Sequence, residues 1–105
     1  MKRTKHLLKS GCAMLALTFA VSAAEAQDCP ADLPTITPGV LTMSINATIP
    51  PRQYIDTSGN LQGLHPDIGR EIARRLCLEP EFMNVGFEVQ IPGLANQRWD
   101  MINTG

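Results

Sequence analysis

The sequence predicts an α/β fold built on a mostly parallel sheet. Three observations carry that reading: a period-2 apolar run beginning at Val40, a helical stripe that follows Pro66, and a chain order after Gly39 of strand, hairpin, helix, strand, helix, strand. Strands that alternate with helices are joined as parallel neighbours by right-handed crossovers.

The elements are justified in chain order. Lys2, Arg3 and Lys5 precede an apolar stretch from Gly11 to Ala24. Ala24-Glu25-Ala26 then offers small residues at the two positions a signal peptidase reads, so residues 1–26 are expected to be an export signal cut between Ala26 and Gln27. The apolar run of about 14 residues falls short of the roughly 20 that span a bilayer. Cys12 lies at the start of that run instead of behind it, which argues against a lipid anchor. Gln27 to Gly39, with Pro30, Pro34 and Pro38, reads as an extended leader. The domain proper is expected over residues 40–105.

In the first strand Leu41, Met43 and Ile45 alternate with Thr42, Ser44 and Asn46, and Pro50-Pro51 ends it in a loop. Tyr54-Ile55-Asp56 and Leu61 to Leu64 flank Thr57-Ser58-Gly59-Asn60, the composition of a hairpin turn. Pro66 is placed at the first helical position, Asp67 in the first turn, and Ile68, Ile72 and Leu76 form the buried stripe, widened by the small Gly69 and Ala73. Glu71, three and four residues before Arg74 and Arg75, belongs to the solvated face. Pro80 marks the exit from this helix, and Phe82, Met83 and Val85 form a second strand. Phe87, Ile91 and Leu94 return to helical spacing, with Pro92 in a first turn that starts near Gln90 or Ile91. Trp99 is read as structural, and Met101 to Gly105 as a third strand.

Removing residues 1–26 from 105 leaves 79, and every lysine goes with them. Five arginines then face nine carboxylates, a net charge of −4 with no basic cluster, which argues against nucleic acid as a partner. Cys29 and Cys77 remain, in a compartment where disulfides persist; one bridge, or two thiols with Cys77 a small buried residue, are both open readings. His65 stands alone, so no metal spacing exists, and no cofactor motif is present.

In an open parallel sheet, ligands bind outside the carboxyl ends of the strands. That rule selects Asn46, Thr48, Ile49 and Arg52 after the first strand, Leu64 and His65 entering the first helix, and Asn103, Thr104 and Gly105 at the last. No nucleophile stands beside a base there, so binding is favoured over catalysis.

The run "GVLTMSINATIPPRQYIDTSGNLQGLHPDIGREIARRLCLEPEF", followed by "IPGLANQRWDMINTG", resembles the N-terminal half of lobe one in the extracellular solute-binding proteins of family 3. These are the periplasmic amino-acid and opine receptors of ATP-driven importers. The resemblance covers Gly39 to Gly105 and implies a periplasmic-binding-protein-like lobe, here incomplete. It further implies a monomeric, two-lobed receptor that closes on a small solute and delivers it to a membrane permease. In the family, the segment after the last strand supplies a Ser/Thr and an Arg that grip the ligand's carboxylate; this chain stops short of them and is expected to be a fragment unable to bind alone.

Residue by residue, Asn46 stands where the family usually has an acid, Ile49 and Arg52 where it has aromatics, and Leu64-His65 where it has a Phe-Asp pair. Arg52 is then either a solvated loop residue or a charge facing an anion, and His65 either a helix N-cap in place of Asp or a ligand contact. Ile49 and Leu64 are either loop packing or pocket wall. Two alternatives share the fold: a periplasmic cyclohexadienyl or arogenate dehydratase, and a sensory or cell-wall-enzyme module. The place of Cys77 is usually a glycine closing the helix in a left-handed conformation. A cysteine there suggests a compensating bridge to Cys29, with Cα atoms within about 7 Å.

Overall fold

The computed structural model describes residues 28–105. The expected export signal and its cleavage point between Ala26 and Gln27 lie outside the described residues. β1 (Val40–Ile45) is the middle strand of a parallel sheet, with β5 (Glu79–Asn84) on one side and β6 (Met101–Ile102) on the other. Val40 lies opposite Glu79 and Ile45 opposite Asn84, while Met43 pairs with Met101. A second, antiparallel sheet joins β2 (Thr48–Ile49), β3 (Gln53–Ile55) and β4 (Leu61–Gln62). Helix α1 (Leu64–Arg75) links the two sheets, and α2 (Gln90–Ala95), entered through a 3₁₀ turn at Phe87–Val89, leads to β6.

The alternating pattern of β1 suggests one wet face, yet Leu41 through Ile45 are all buried. A central strand flanked on both edges in a parallel sheet is covered on both faces. Leu41 and Met43 pack with Ala73 of α1, supported by Ile72, Leu76, Leu78, Phe82 and Met101. Thr42 and Ser44 point the other way, giving β1 one apolar and one polar buried face.

Several elements differ from expectation. The loop after β1 contains β2, which pairs with β3 and turns the hairpin into three strands. The hairpin turn is held by Asp56, whose carboxylate accepts from the amides of Ser58 and Asn60. Helix α1 begins at Leu64 behind Gly63, so Pro66 is its third residue. Its buried residues are Pro66, Gly69 and Ala73, and Ile68 is 45% exposed. A Cβ on Gly69 would meet Asn103 Nδ2, Met43 Sδ and Phe82 Cε1, so the helix rests on the sheet through its smallest side chain. Pro80 lies inside β5, where an edge strand tolerates the missing N–H. In α2 the buried residues are Gln90 and Gly93, while Phe87, Ile91 and Leu94 are exposed. The last strand stops at Ile102, although the Asn103 amide still donates to Ser44 O at 2.8 Å.

Helix α1 ends in a left-handed residue, Cys77, with φ +56°. The Leu78 amide donates to Ala73 O and the Cys77 amide to Arg74 O, the paired bonds of a Schellman cap. Cys77 is disulfide-bonded to Cys29, with their Cα atoms 5.5 Å apart. The leader is held a second time by Asp100, whose carboxylate accepts the amides of Ile36 and Thr42, both at 2.8 Å. Both ties lie at the amino end of the sheet.

Candidate functional site

The carboxyl ends of β1, β5 and β6 meet at one edge, and the side chains there are amides and hydroxyls. Thr104 Oγ1 accepts from the Asn46 amide at 3.0 Å and from Gln90 Nε2 at 3.1 Å. Asn84, at the end of β5, accepts from the Ala47 amide at 3.0 Å through Oδ1. Thr48 Oγ1 donates to Asn46 Oδ1, and Gln53 Nε2 donates to Asn46 O, each at 2.8 Å. Asn46 therefore ties β1 to the antiparallel sheet and to Thr104 beyond β6, and Thr104 in turn ties it to Gln90 of α2.

The entry to α1 is tied to the same edge. The His65 amide donates to Arg52 O at 3.0 Å, and His65 O accepts from Asn103 Nδ2 at 2.8 Å. Gly63 makes this approach possible. At φ +121° it takes a conformation that favours glycine, and a Cβ would strike the carbonyls of Pro51 and Arg52. The imidazole of His65 lies against Gly105, where a Cβ would collide with the ring. His65 is the second residue of α1 and Gly63 holds the N-cap place without a side-chain cap bond, which overturns the N-cap reading of His65.

Of the nine residues selected from the sequence, Asn46, Thr48, Asn103 and Thr104 share this network through their side chains. Arg52 and His65 join it through their backbone, and Gly105 through contact with His65. Ile49 sits in β2 opposite Gln53 and Leu64 opens α1; both are exposed, Leu64 by 60%. Neither is held in the network. Gln53 and Gln90 were not selected, yet both are buried, and Gln90 also accepts from Trp99 Nε1 at 3.0 Å through its backbone oxygen. A glutamine inside the apolar sequence Val89-Gln90-Ile91-Pro92 was the one visible signal.

No carboxylate hydrogen-bonds to this network or forms an ion pair with it among the described residues. Asp56 is turned into the hairpin, where the bond from the Asn60 backbone leads in holding its carboxyl below the usual range. Asp67 pairs with Arg70, Glu71 with Arg74 and Arg75, and Asp100 binds the opposite end of the sheet. Grooves of about 400, 480 and 330 Å³ lie elsewhere, along Ile68 and Ile72 of α1, between Ile36 and Trp99, and beside the disulfide. Among the described residues no group of three or more His, Cys, Asp or Glu is placed to hold a metal ion.

A mostly parallel sheet with a polar carboxyl edge, flanked by an antiparallel flap and interspersed helices, is a partial lobe of the periplasmic-binding-protein type. Residues 41–105 match the bacterial extracellular solute-binding proteins, family 3, and the chain belongs to that family. It is 33% identical over 60 residues to the probable ABC transporter arginine-binding protein ArtJ of Chlamydia trachomatis serovar D, covering 57% of this chain and 23% of ArtJ. The arginine-bound form of domain 1 from TmArgBP is 36% identical with a TM-score of 0.62, over 64% of this chain and 53% of that domain. The ancestral amino-acid-binding protein AncCDT-1, a precursor of cyclohexadienyl dehydratase, is 25% identical with a TM-score of 0.61, over 64% of this chain and 30% of that one. The chain thus spans about half of the first solved domain and under a quarter of ArtJ.

Proposed function

We propose that this chain supplies part of one lobe of a periplasmic receptor that takes an amino acid or a related small solute and passes it to the permease of an ABC importer. The observation that carries the reading is the hydrogen-bonded edge at the strand ends of a family 3 lobe, where Asn46, Thr104 and Gln90 hold one another in place. A preorganised polar edge lowers the ordering cost of binding. Thr48, Arg52, His65, Asn103 and Gly105 complete the proposed contact surface, with Ile49 and Leu64 at its rim.

On this reading residues 1–26 direct export, Gln27 is the mature N-terminus, residues 27–39 form a leader, and residues 40–105 form the lobe portion of a monomeric receptor. Closure of two lobes, not bond-making, is the working step. The isolated 27–105 piece offers half a cleft and is expected to bind no amino acid at micromolar affinity. Thermal-shift and calorimetric titration of the full-length gene product with the twenty proteinogenic L-amino acids tests the reading; saturable binding supports it, and a flat response to all twenty refutes the amino-acid assignment. The relation of AncCDT-1 to a dehydratase keeps one second reading, tested by incubating the same product with prephenate and arogenate.

A further inference from the structure

Five arginines lie among the described residues, and four of them meet a partner. Arg70 binds Asp67 at 2.9 Å and Leu61 O at 2.8 Å and covers the Phe82 ring; Arg74 and Arg75 each bind Glu71 at 2.8 Å; Arg98 stands 5.5 Å from the centroid of the Trp99 ring. Arg52 is exposed, and among the described residues its guanidinium meets no carboxylate, carbonyl or aromatic ring. Its backbone, by contrast, is held. The carbonyl accepts the His65 amide at 3.0 Å and lies so close to Gly63 that a Cβ there would strike it. The next residue, Gln53, is fully buried and donates to Asn46 O at 2.8 Å. A charge carried on a fixed backbone loses less freedom on binding than one on a mobile loop.

The acids of residues 40–105 leave this charge unanswered. Asp67 and Glu71 are engaged by other arginines, Asp56 by the hairpin turn, and Asp100 by the amides of Ile36 and Thr42. Glu79 and Glu81 lie opposite Val40 and Thr42 in the amino half of β1, and Glu88 folds its carboxylate against Gly86 past the end of β5. Beside Arg52 the carboxyl edge offers the half-buried His65 and the neutral amide of Asn46. Such an edge attracts an anion and repels a second cation.

We propose that Arg52 is a specificity-determining residue that pairs with an anionic side chain of the solute, so that the receptor takes an acidic amino acid in preference to its neutral or cationic counterparts. The inference rests on the receptor reading above and concerns the solute's side chain alone. The α-carboxylate is common to all the amino acids compared and drops out of the comparison.

The test is calorimetric titration of the full-length gene product with the twenty proteinogenic L-amino acids. L-Aspartate or L-glutamate is expected to bind most tightly, about tenfold ahead of its own amide, L-asparagine or L-glutamine, the scale of a hydrogen bond between charged groups. Acid and amide have nearly the same shape, so packing and backbone contacts cancel. Arg52→Gln is expected to bring the two to within about twofold of each other, and added salt to narrow the difference in the unaltered protein. Arg52→Glu is expected to favour L-lysine or L-arginine over the acid. Arg74→Gln removes the same charge from the last turn of α1 and is expected to leave the acid-to-amide ratio unchanged, which separates a local contact from the net charge of the protein. Where an Arg52 variant fails to fold, the acid-to-amide ratio of the unaltered protein and its salt dependence carry the decision. A tightest solute that is neutral or cationic, or an Arg52→Gln variant that keeps the full ratio, overturns the inference while leaving the receptor reading intact. Absence of binding by the unaltered protein to all twenty amino acids overturns both.

Discussion

Cutting the leader from the end of α1 separates two energies that meet at Cys77. The Cys29–Cys77 bridge has a sequence separation of 48 residues, for which chain entropy gives about 4 kcal/mol of stabilisation as an upper figure. Cys77 also holds φ +56° at the Schellman position, where a residue with a Cβ gives up about 1 kcal/mol relative to glycine. Cys29→Ser removes the first energy and keeps the second. Cys29→Ser with Cys77→Gly removes the bridge and relieves the left-handed residue. The single variant is therefore expected to unfold up to about 4 kcal/mol more easily than the oxidised protein, and the double variant to regain about 1 kcal/mol of that. Guanidinium denaturation followed by far-ultraviolet circular dichroism reads both differences, and limited proteolysis locates the loosened leader. Equal stability of the oxidised protein and Cys29→Ser would refute the tether, and a double variant less stable than the single would refute the assigned strain. A leader that stays resistant after reduction would mean that the Asp100 bonds to Ile36 and Thr42 hold it alone.

Gly93→Ala drives a Cβ into the indole of Trp99, which is 1% exposed and bonded to Gln90 O, so it is expected to cost about 1–3 kcal/mol and to shift the Trp99 fluorescence. Gly69→Ala pushes against Asn103 Nδ2, Met43 Sδ and Phe82 Cε1; a similar loss of stability is expected, with the His65–Asn103 bond disturbed as seen in the Asn103 side-chain amide resonances. Glu71 accepts from Arg74 and Arg75, and these bonds hold its carboxyl near 2 instead of 4.5. Because the folded value is depressed, the stabilising contribution is complete above about 4.5 and is lost as the pH falls toward 2; carboxyl-carbon NMR that finds Glu71 titrating near 4.5 contradicts this.

The fold was legible where the pattern of one segment decides its structure. Leu41, Met43 and Ile45 announce a strand by themselves, and the Thr57–Asn60 turn announces a reversal. The orientation of α1 was less so, because two apolar stripes compete on one helix. Ile68 stands about 100° around the helix from Gly69, and the close seat on Met43 and Phe82 is open only to the glycine. The helix turns its small residues to the sheet and leaves Ile68 outside. β2 was hidden for a different reason: Thr48–Ile49 is too short to show a period, and its strand character comes from pairing with Gln53 and Tyr54.

The site was legible as far as strand ends could be counted. Asn46, Asn103 and Thr104 follow directly from where β1 and β6 run out. Gln90 and Gln53 lie 14 residues before Thr104 and 7 after Asn46, and only the crossover and the flap bring them to that edge. The two ends of β1 consequently carry different tasks. Its amino end is held by Asp100 and, through the leader, by the disulfide. Its carboxyl end is held by amides and the Thr104 hydroxyl. Substitutions at Cys29, Cys77 or Asp100 are therefore expected to act on the stability of the lobe, whereas those at Asn46 or Thr104 are expected to act on the proposed contact surface. Measuring unfolding and affinity on the same set of variants separates the two ends, because β1 is one continuous buried strand and a loss confined to one readout identifies which end was disturbed.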